Sequence, residues 1–363
     1  MRIRELDGLR AIAVLAVLGH HYMSWLPVTG SENGWLGVDL FFILSGFLIT
    51  SILVQLRGKE RFFSTFYSRR ALRIFPPYFL GIAVYVGVSL WAGKPGTLGL
   101  WMQYILYYTS LQVGQPPQLD YAVIFPVKLG LGVLWSLSVE ELYYTFWAPI
   151  VRYVMHKWLV VILIGMSVAA PLLRLWLHTP LYPENYTFYC RMDALAFGSI
   201  IALLMRARRN NPLLWQRWDK RFSAAAIAVS LVTLALWIYL HGDRANLVLA
   251  TLGLTLADVT FALIVFAILR QAGGSSWWLR ALRASWLGSI GMVSYSLYLF
   301  HYPLGYLVGQ WVATWGLSRH QAAIVQVLLS ILVSLAVAYG LWFGMESRIL
   351  NWKNRHVPSP AHL

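Results

Sequence analysis

The sequence predicts an all-α membrane protein, a polytopic bundle of about ten transmembrane helices with both termini cytoplasmic. Three observations carry that reading. Of 363 residues, 59% are hydrophobic and 12% charged, with a mean hydropathy of +0.61, whereas a soluble domain carries roughly 25% charged residues. The apolar residues recur in stretches of roughly 17–25, the length that takes a helix across ~30 Å of hydrocarbon. The 29 Lys and Arg, set against 14 Asp and Glu, are gathered between those stretches. Tyr, Trp and Phe reach 15%, as suits aromatic belts at two membrane interfaces.

Eleven stretches stand out in order: 9–26, 36–54, 77–92, 98–113, 133–151, 158–177, 191–205, 222–240, 247–269, 286–309 and 322–345. Loop charge decides which of them cross. Lys and Arg cluster at 2–10, 57–73, 152–157, 206–221, 270–283 and 348–355, which hold 23 of the 29. The other six, Lys94, Lys128, Arg174, Arg191, Arg244 and Arg319, are scattered. Positive charge is retained in the cytoplasm, so all six clusters belong inside, and the chain crosses an even number of times between any two. Three stretches separate 57–73 from 152–157, so one of those three does not span. The short aromatic stretch 98–113 is assigned as interfacial or re-entrant, which leaves ten spans.

The remaining features narrow the class. One cysteine, Cys190, excludes an intramolecular disulfide and a Cys-based structural zinc site. No P-loop, HExxH or dinucleotide fingerprint occurs, and neither a metal nor a resident cofactor is expected. Topology accounts for the basic excess, so no nucleic-acid partner is expected. Glu5 and Asp7 in the first charged region, with no small-residue cleavage site after it, point to an uncleaved first span. Residues 1–350 are expected to form one membrane domain and 351–363 a short frayed cytoplasmic tail, with no soluble domain appended. Chemistry is therefore expected within the membrane.

Ionisable groups inside spans are expensive and mark candidate sites. In the first span, Arg10 and His21 are eleven residues apart, which returns the helix to within ~20° and lifts His21 roughly 16 Å above Arg10. Asp7, Arg10 and His21 thus share a face and make a polar stripe. A neutral imidazole suits general-base work near pH 7; an interfacial histidine with a snorkelling arginine fits the same spacing. In the second span, Asp39 is placed to orient His21 or to act as an interfacial carboxylate, and Ser45-Gly46 to line a cavity or let helices approach closely. Arg69, Arg70 and Arg73 precede Pro76-Pro77, placed to grip phosphates through bidentate hydrogen bonds or to serve only topology and lipid contact. Trp135, expected like Ser45 to line the acceptor cavity, opens a span that carries Glu140 and Glu141, which point ~100° apart on a helix, so one of them is expected to face inward. They are candidates for acid–base work, sugar binding, or a helix start stabilised by its dipole. Arg191 and Asp193 open a later span as a possible pair. Tyr298 and His301, three residues apart, share a face as cavity-lining groups or as a structural hydrogen bond.

With these segments in hand, the chain resembles the acyltransferase-3 family of integral membrane acyltransferases, from Leu6 to about Glu346. LDGLRAIAVLAVLGHHY carries the family's arginine and histidine at Arg10 and His21, and GVDLFFILSGFLI, RRALRIFPPYF, WSLSVEELYY and SYSLYLFHYP follow in the family order. Tyr143 stands where the family commonly has Phe. The resemblance implies transfer of an acyl group, usually acetyl, from cytoplasmic acyl-CoA as co-substrate to a hydroxyl of a carbohydrate acceptor, most readily an exopolysaccharide or lipid-linked repeat unit, in the bacterial cytoplasmic membrane. It marks His21 as essential, gives Arg10, Arg69, Arg70 and Arg73 the CoA phosphates, and matches Glu140 rather than Glu141 to the family glutamate. Asp39 or Glu140 is expected to fix the His21 tautomer. Two rival readings use the same charges: a transporter or flippase of a lipid-linked sugar, which predicts repeated halves that the sequence does not display, and a non-catalytic subunit of a polysaccharide-export complex. Oligomeric state is left open.

Overall fold

The computed structural model describes residues 3–23, 31–91, 98–111, 131–178, 187–243 and 245–357. Lys94, Lys128 and Arg244 lie outside them. In chain order the α-helices are α1 (Arg4–Met23), α2 (Gly37–Leu56), α3 (Phe62–Trp91), α4 (Leu98–Ile105), α5 (Trp135–Tyr153), α6 (His156–Leu177), α7 (Phe188–Asn210), α8 (Pro212–Tyr239), α9 (Leu254–Arg270), α10 (Trp277–Leu282), α11 (Ser285–Ala313), α12 (Arg319–Leu341) and α13 (Ser347–His356). A single π turn precedes α9 and another joins α12 to α13. No β-strand occurs among the described residues.

Among the described residues six segments are long and apolar enough to cross a membrane: Asn33–Leu56, His156–Leu177, Phe188–Asn210, Arg221–Tyr239, Leu249–Arg270 and Arg319–His356. Four other helices have the length, with 20, 30, 19 and 29 residues in α1, α3, α5 and α11, but carry more polar groups. Those four hold Arg10 and His21, the arginine run, the paired glutamates, and Tyr298 with His301. Apolarity alone therefore misses the helices that line the site. The eight residues of α4 rise about 12 Å, well short of a crossing. The chain turns back at Tyr107, where φ is +56°, and Ser110 Oγ meets Ser138 Oγ of α5 at 2.8 Å.

Helices α2 and α7 are mostly buried, whereas α6, α8 and α12 are mostly exposed. The outer helices present Val161, Leu172, Trp176, Ile227, Leu231 and Leu332 on the surface, where hydrocarbon is the compatible solvent. The central crossing depends on two glycines. A Cβ on Gly46 would overlap the carbonyl of Leu195, and one on Gly198 would overlap the carbonyl of Ile43. The small pair lets the α2 and α7 backbones touch, the usual means of helix association in lipid.

On the other flank, Gly291 of α11 lies against the backbone of Asp7 in α1, and His301 lies against His21. The helices α1 and α11 therefore run parallel, with residue 291 level with residue 7 and residue 301 level with residue 21. Two expectations change. The RRALR run, placed at the start of a span whose apolar stretch begins at 77, belongs to a helix that starts earlier: α3 continues from Phe62 through Pro76 and Pro77, so Arg70 lies about 12 Å inside it. The segment 351–357 is not frayed. It continues α13, and Arg69 donates to Asn354 Oδ1 at 3.1 Å and to the Val357 carbonyl at 2.8 Å. The boundary drawn at 351 falls inside that helix.

Candidate active site

Three polar groupings line the inside of the bundle. The first joins α1 to α11. His21 Nδ1 and His301 Nε2 are 2.9 Å apart, and His301 Nδ1 is 2.7 Å from the carbonyl of Tyr298. A carbonyl can only accept, so His301 carries its proton on Nδ1. With His301 neutral, its Nε2 accepts, and His21 must donate from Nδ1. The basic lone pair of His21 is thereby placed on Nε2. His301 is fully buried while His21 keeps an accessible face. The Tyr22 hydroxyl donates to the His301 carbonyl at 2.6 Å and accepts from Ser334 Oγ at 2.7 Å, which fixes the pair from α12. Rings of His20 and Tyr302 stand edge-on to His21, each 5.0 Å away. The Tyr298 hydroxyl lies 2.7 Å from Ser136 Oγ and donates to the Val133 carbonyl at 3.0 Å, tying α11 to the start of α5.

The second grouping centres on Arg70. Its guanidinium donates to Glu141 at 3.0 Å and to Glu140 at 3.4 Å, and lies over the Tyr144 ring at 3.3 Å from the centroid. Glu140 also accepts from Ser45 Oγ at 2.7 Å and from the Tyr144 hydroxyl at 2.8 Å. Both glutamates face the same cation, contrary to the expectation that only one turns inward: the five-donor fork of arginine spans their angular separation. Ser45 and Gly46 divide the two roles considered for them, Ser45 binding the carboxylate and Gly46 admitting α7.

The third grouping lies where α1, α3, α11 and α13 meet. Arg73 is surrounded by the charges of Arg10, Arg70, Asp7 and Glu346, and Ser296 Oγ donates to Glu346 at 2.6 Å. Lys353 of α13 is buried beside Arg73 and Arg69. Arg10 thus stands about 16 Å below His21 on one helix face, with Arg73 at its side. Arg69 and Arg70 are not open phosphate grips: Arg69 holds α13, and Arg70 is occupied by the two glutamates.

Asp39 is the largest departure. It is fully buried and accepts from Arg191 Nη1 at 2.8 Å, not from His21. The group that orients His21 is His301, and neither Asp39 nor Glu140 stands in that position. The ring of Trp135, which lies 5.9 Å from Phe42, also lies 5.5 Å from the Arg191 guanidinium, and the ring of Trp35 lies 5.3 Å from it. Arg191 and Asp193 do not pair with each other. Residues two apart on a helix point ~200° apart, so Asp193 turns to α6 and accepts from Arg174 at 2.7 and 3.1 Å. Arg174 also donates to the carbonyl of Cys190. Asp258 of α9 adds a third buried carboxylate whose two oxygens have no hydrogen-bond partner among the described residues. Sequence reasoning passed over Asp258, Glu346 and Lys353. An acid in the apolar run LTLADVTFALIVF was the available signal for Asp258; Glu346 and Lys353 lie at or beyond the end of the last apolar stretch and carry no such contrast.

Among the described residues no cluster of three His, Cys, Asp or Glu side chains is suited to a metal. No solved structure matches the chain. The chain is 28% identical over 316 residues to the peptidoglycan O-acetyltransferase OatA of Listeria monocytogenes, covering 83% of this chain and 49% of that protein. It is 26% identical over 350 residues to the O-acetyltransferase OatA of Staphylococcus aureus, covering 91% and 55%. It is 30% identical over 317 residues to the putative peptidoglycan O-acetyltransferase YrhL of Bacillus subtilis, covering 83% and 48%. The chain spans about half the length of these relatives. A family described as "Acyltransferase domain" matches residues 3–343, a range that holds all three groupings apart from Glu346, Lys353 and the α13 contacts. By that match over nearly its whole length, the chain belongs to the acyltransferase-3 family of integral membrane acyltransferases.

Proposed function

We propose that the protein is an O-acetyltransferase of the bacterial cytoplasmic membrane. It spans ten times with both termini inside, and it moves acetyl from cytoplasmic acyl-CoA to a hydroxyl of a cell-envelope carbohydrate. The single observation that carries this reading is the His21–His301 pair, whose bonds to main chain and side chain put the basic lone pair on His21 Nε2. The donor's phosphates rest at Arg10 and Arg73, and its thioester arm climbs the α1 stripe toward His21.

In direct transfer, His21 Nε2 takes the proton of the acceptor hydroxyl and the acceptor oxygen bonds to the acetyl carbon. The carbon–sulfur bond breaks, and the thiolate recovers the proton from His21. The positive charge that His21 carries between those steps is stabilised by its Nδ1–H bond to neutral His301. A relay through an acetylated Nε2 uses the same atom; acid-labile label left on the protein after brief exposure to donor alone separates the relay from direct transfer. Arg70 with Glu140 and Glu141 forms a rigid polar wall below the histidines, and Tyr298 and Ser136 sit beside the acceptor's approach. The printed names of the relatives make peptidoglycan the first acceptor to test, with exopolysaccharide as the second.

The test is labelled acetyl-CoA presented to purified protein in lipid nanodiscs with each glycan in turn. Label is expected in the glycan with wild-type protein and not with His21→Ala. Glycan labelling that persists in the variant removes the proposal. Movement of an unmodified lipid-linked sugar across proteoliposomes, without acetylation, would favour the flippase instead.

A further inference from the structure

A base that accepts a proton inside a membrane becomes a cation where cations are costly. The group bonded to His21 Nδ1 is the neutral ring of His301, 2.9 Å away. The nearby carboxylates serve other cations: Asp39 is held by Arg191, and Glu140 and Glu141 by Arg70. What encloses the histidine pair is aromatic. The Tyr302 ring stands 5.0 Å from the His21 ring at 83°. The rings of Tyr22 and Tyr298 stand 6.0 and 5.8 Å from that of His301. Their hydroxyls hold them in place, Tyr22 through the His301 carbonyl and Ser334, and Tyr298 through Ser136 and the Val133 carbonyl. Tyr298 and Tyr302 are four residues apart on α11 and share a face.

We propose that Tyr302 turns its ring face to the edge of His21 and stabilises the positive charge that His21 acquires when it takes the acceptor's proton. This rests on the reading of His21 as the base. The face of an aromatic ring is the negative side of its quadrupole, and a cation within ~6 Å of the ring centre is attracted to it, more strongly where water is excluded. Two rings at right angles are in the arrangement that brings an edge to a face. Tyr22 and Tyr298 act in the same way on His301, which shares the charge through the Nδ1–Nε2 hydrogen bond. A neutral imidazole gains little from such rings and an imidazolium gains much. The interaction therefore strengthens as the acceptor's O–H bond breaks and the Nε2–H bond forms, and fades when the thiolate takes the proton back. It favours the transition state over the bound substrates, so it raises kcat rather than lowering KM. Tyr302 is on this account a positioning residue that acts on the reaction through His21.

The experiment compares wild-type protein in nanodiscs with Tyr302→Leu, Tyr302→Phe and a series in which phenylalanines of increasing fluorine content replace Tyr302. Fluorine drains the ring face of negative charge and barely alters its shape. The single-turnover rate of label transfer from acetyl-CoA to the glycan is read with KM for both substrates. Tyr302→Phe is expected to stay within about twofold of wild type, and Tyr302→Leu to slow transfer by about tenfold with both KM values retained. Along the fluorinated series the logarithm of the rate falls in step with fluorine content. If Tyr302→Leu does not fold, that series decides alone. A flat series overturns the proposal, and so does a rate that rises with fluorination, which would mean that the edge of Tyr302 faces His21. A loss confined to KM for the glycan also overturns it, by making Tyr302 a sugar-stacking ring. If wild type and His21→Ala transfer label equally, the reading of His21 as the base falls, and this inference falls with it; a flat series in an enzyme that needs His21 removes this inference alone.

Discussion

The α1–α11 flank and the α2–α6–α7–α9 flank of this bundle both bury ionisable groups, and they do so in opposite ways. On the second flank two buried guanidiniums are each locked to a carboxylate. Arg191 holds Asp39 at 2.8 Å, and Arg174 holds Asp193 at 2.7 Å, with all four side chains at most 2% exposed. All four helices there remain apolar enough to cross a membrane. On the first flank the histidines meet each other and His21 stays accessible, as does Arg73 on the adjoining α3. Charge that is mutually satisfied and dry holds helices together; groups that retain bonding capacity and a route to solvent are available for chemistry. Both patterns consist of ionisable residues in a span, and sequence position alone does not separate them.

The sharpest way to break that contrast is His21→Ala. Acetyl transfer is expected to fall by about 10⁴-fold, with the melting transition of the purified protein unchanged. A variant that melts early would move His21 to the structural class. Next comes Arg191→Ala, which leaves Asp39 buried without its cation. It should cost about 3–5 kcal/mol, read as a lower melting temperature and poor recovery from the membrane; full stability would show that this flank is not held by its ion pairs. His301→Ala removes the tautomer lock and is expected to lower kcat by about 100-fold with little change in KM for the donor. An equal effect on KM would mean that His301 binds substrate. Replacing Gly46 by Val pushes α2 off the carbonyl of Leu195 and should cost about 1–3 kcal/mol, seen as a lower melting temperature without loss of kcat in the folded fraction. The smallest effect is expected at Asp258→Asn. Neither carboxylate oxygen has a hydrogen-bond partner among the described residues, so stability should change by less than about 1 kcal/mol; a large loss would reveal a bond that the ion-pair flank depends on.

The periodicity of the first span made the Arg10–His21 stripe legible, because one helix fixes that geometry by itself. Helix length and apolarity likewise located the long elements, and the odd count of crossings singled out the segment that contains the short α4. What stayed illegible was partner choice between helices. Asp39 was assigned to His21 and belongs to Arg191, while Asp193 turned from its neighbour in sequence to Arg174. Each swap is decided by which helix packs alongside, and α7 reaches α2 through Gly46 and Gly198 while its opposite face meets α6. His301 was recognised as a face-sharing residue with Tyr298, but its union with His21 depends on α11 lying parallel to α1, 280 positions away in the chain. Arg69 looked like one of three equivalent arginines. Its use in fastening α13 follows only from the return of the C-terminal helix.

The lone pair of His21 is aimed, through His301, by an oxygen of the peptide backbone at position 298. Every amino acid has that oxygen, so the aim of the lone pair does not depend on the side chain at 298, whose hydroxyl is engaged instead in tying α11 to Ser136 and Val133. Tyr298→Phe is thus expected to leave the His21–His301 pair in place while loosening the join between α11 and α5, read as a lower melting temperature with the proposed transfer retained.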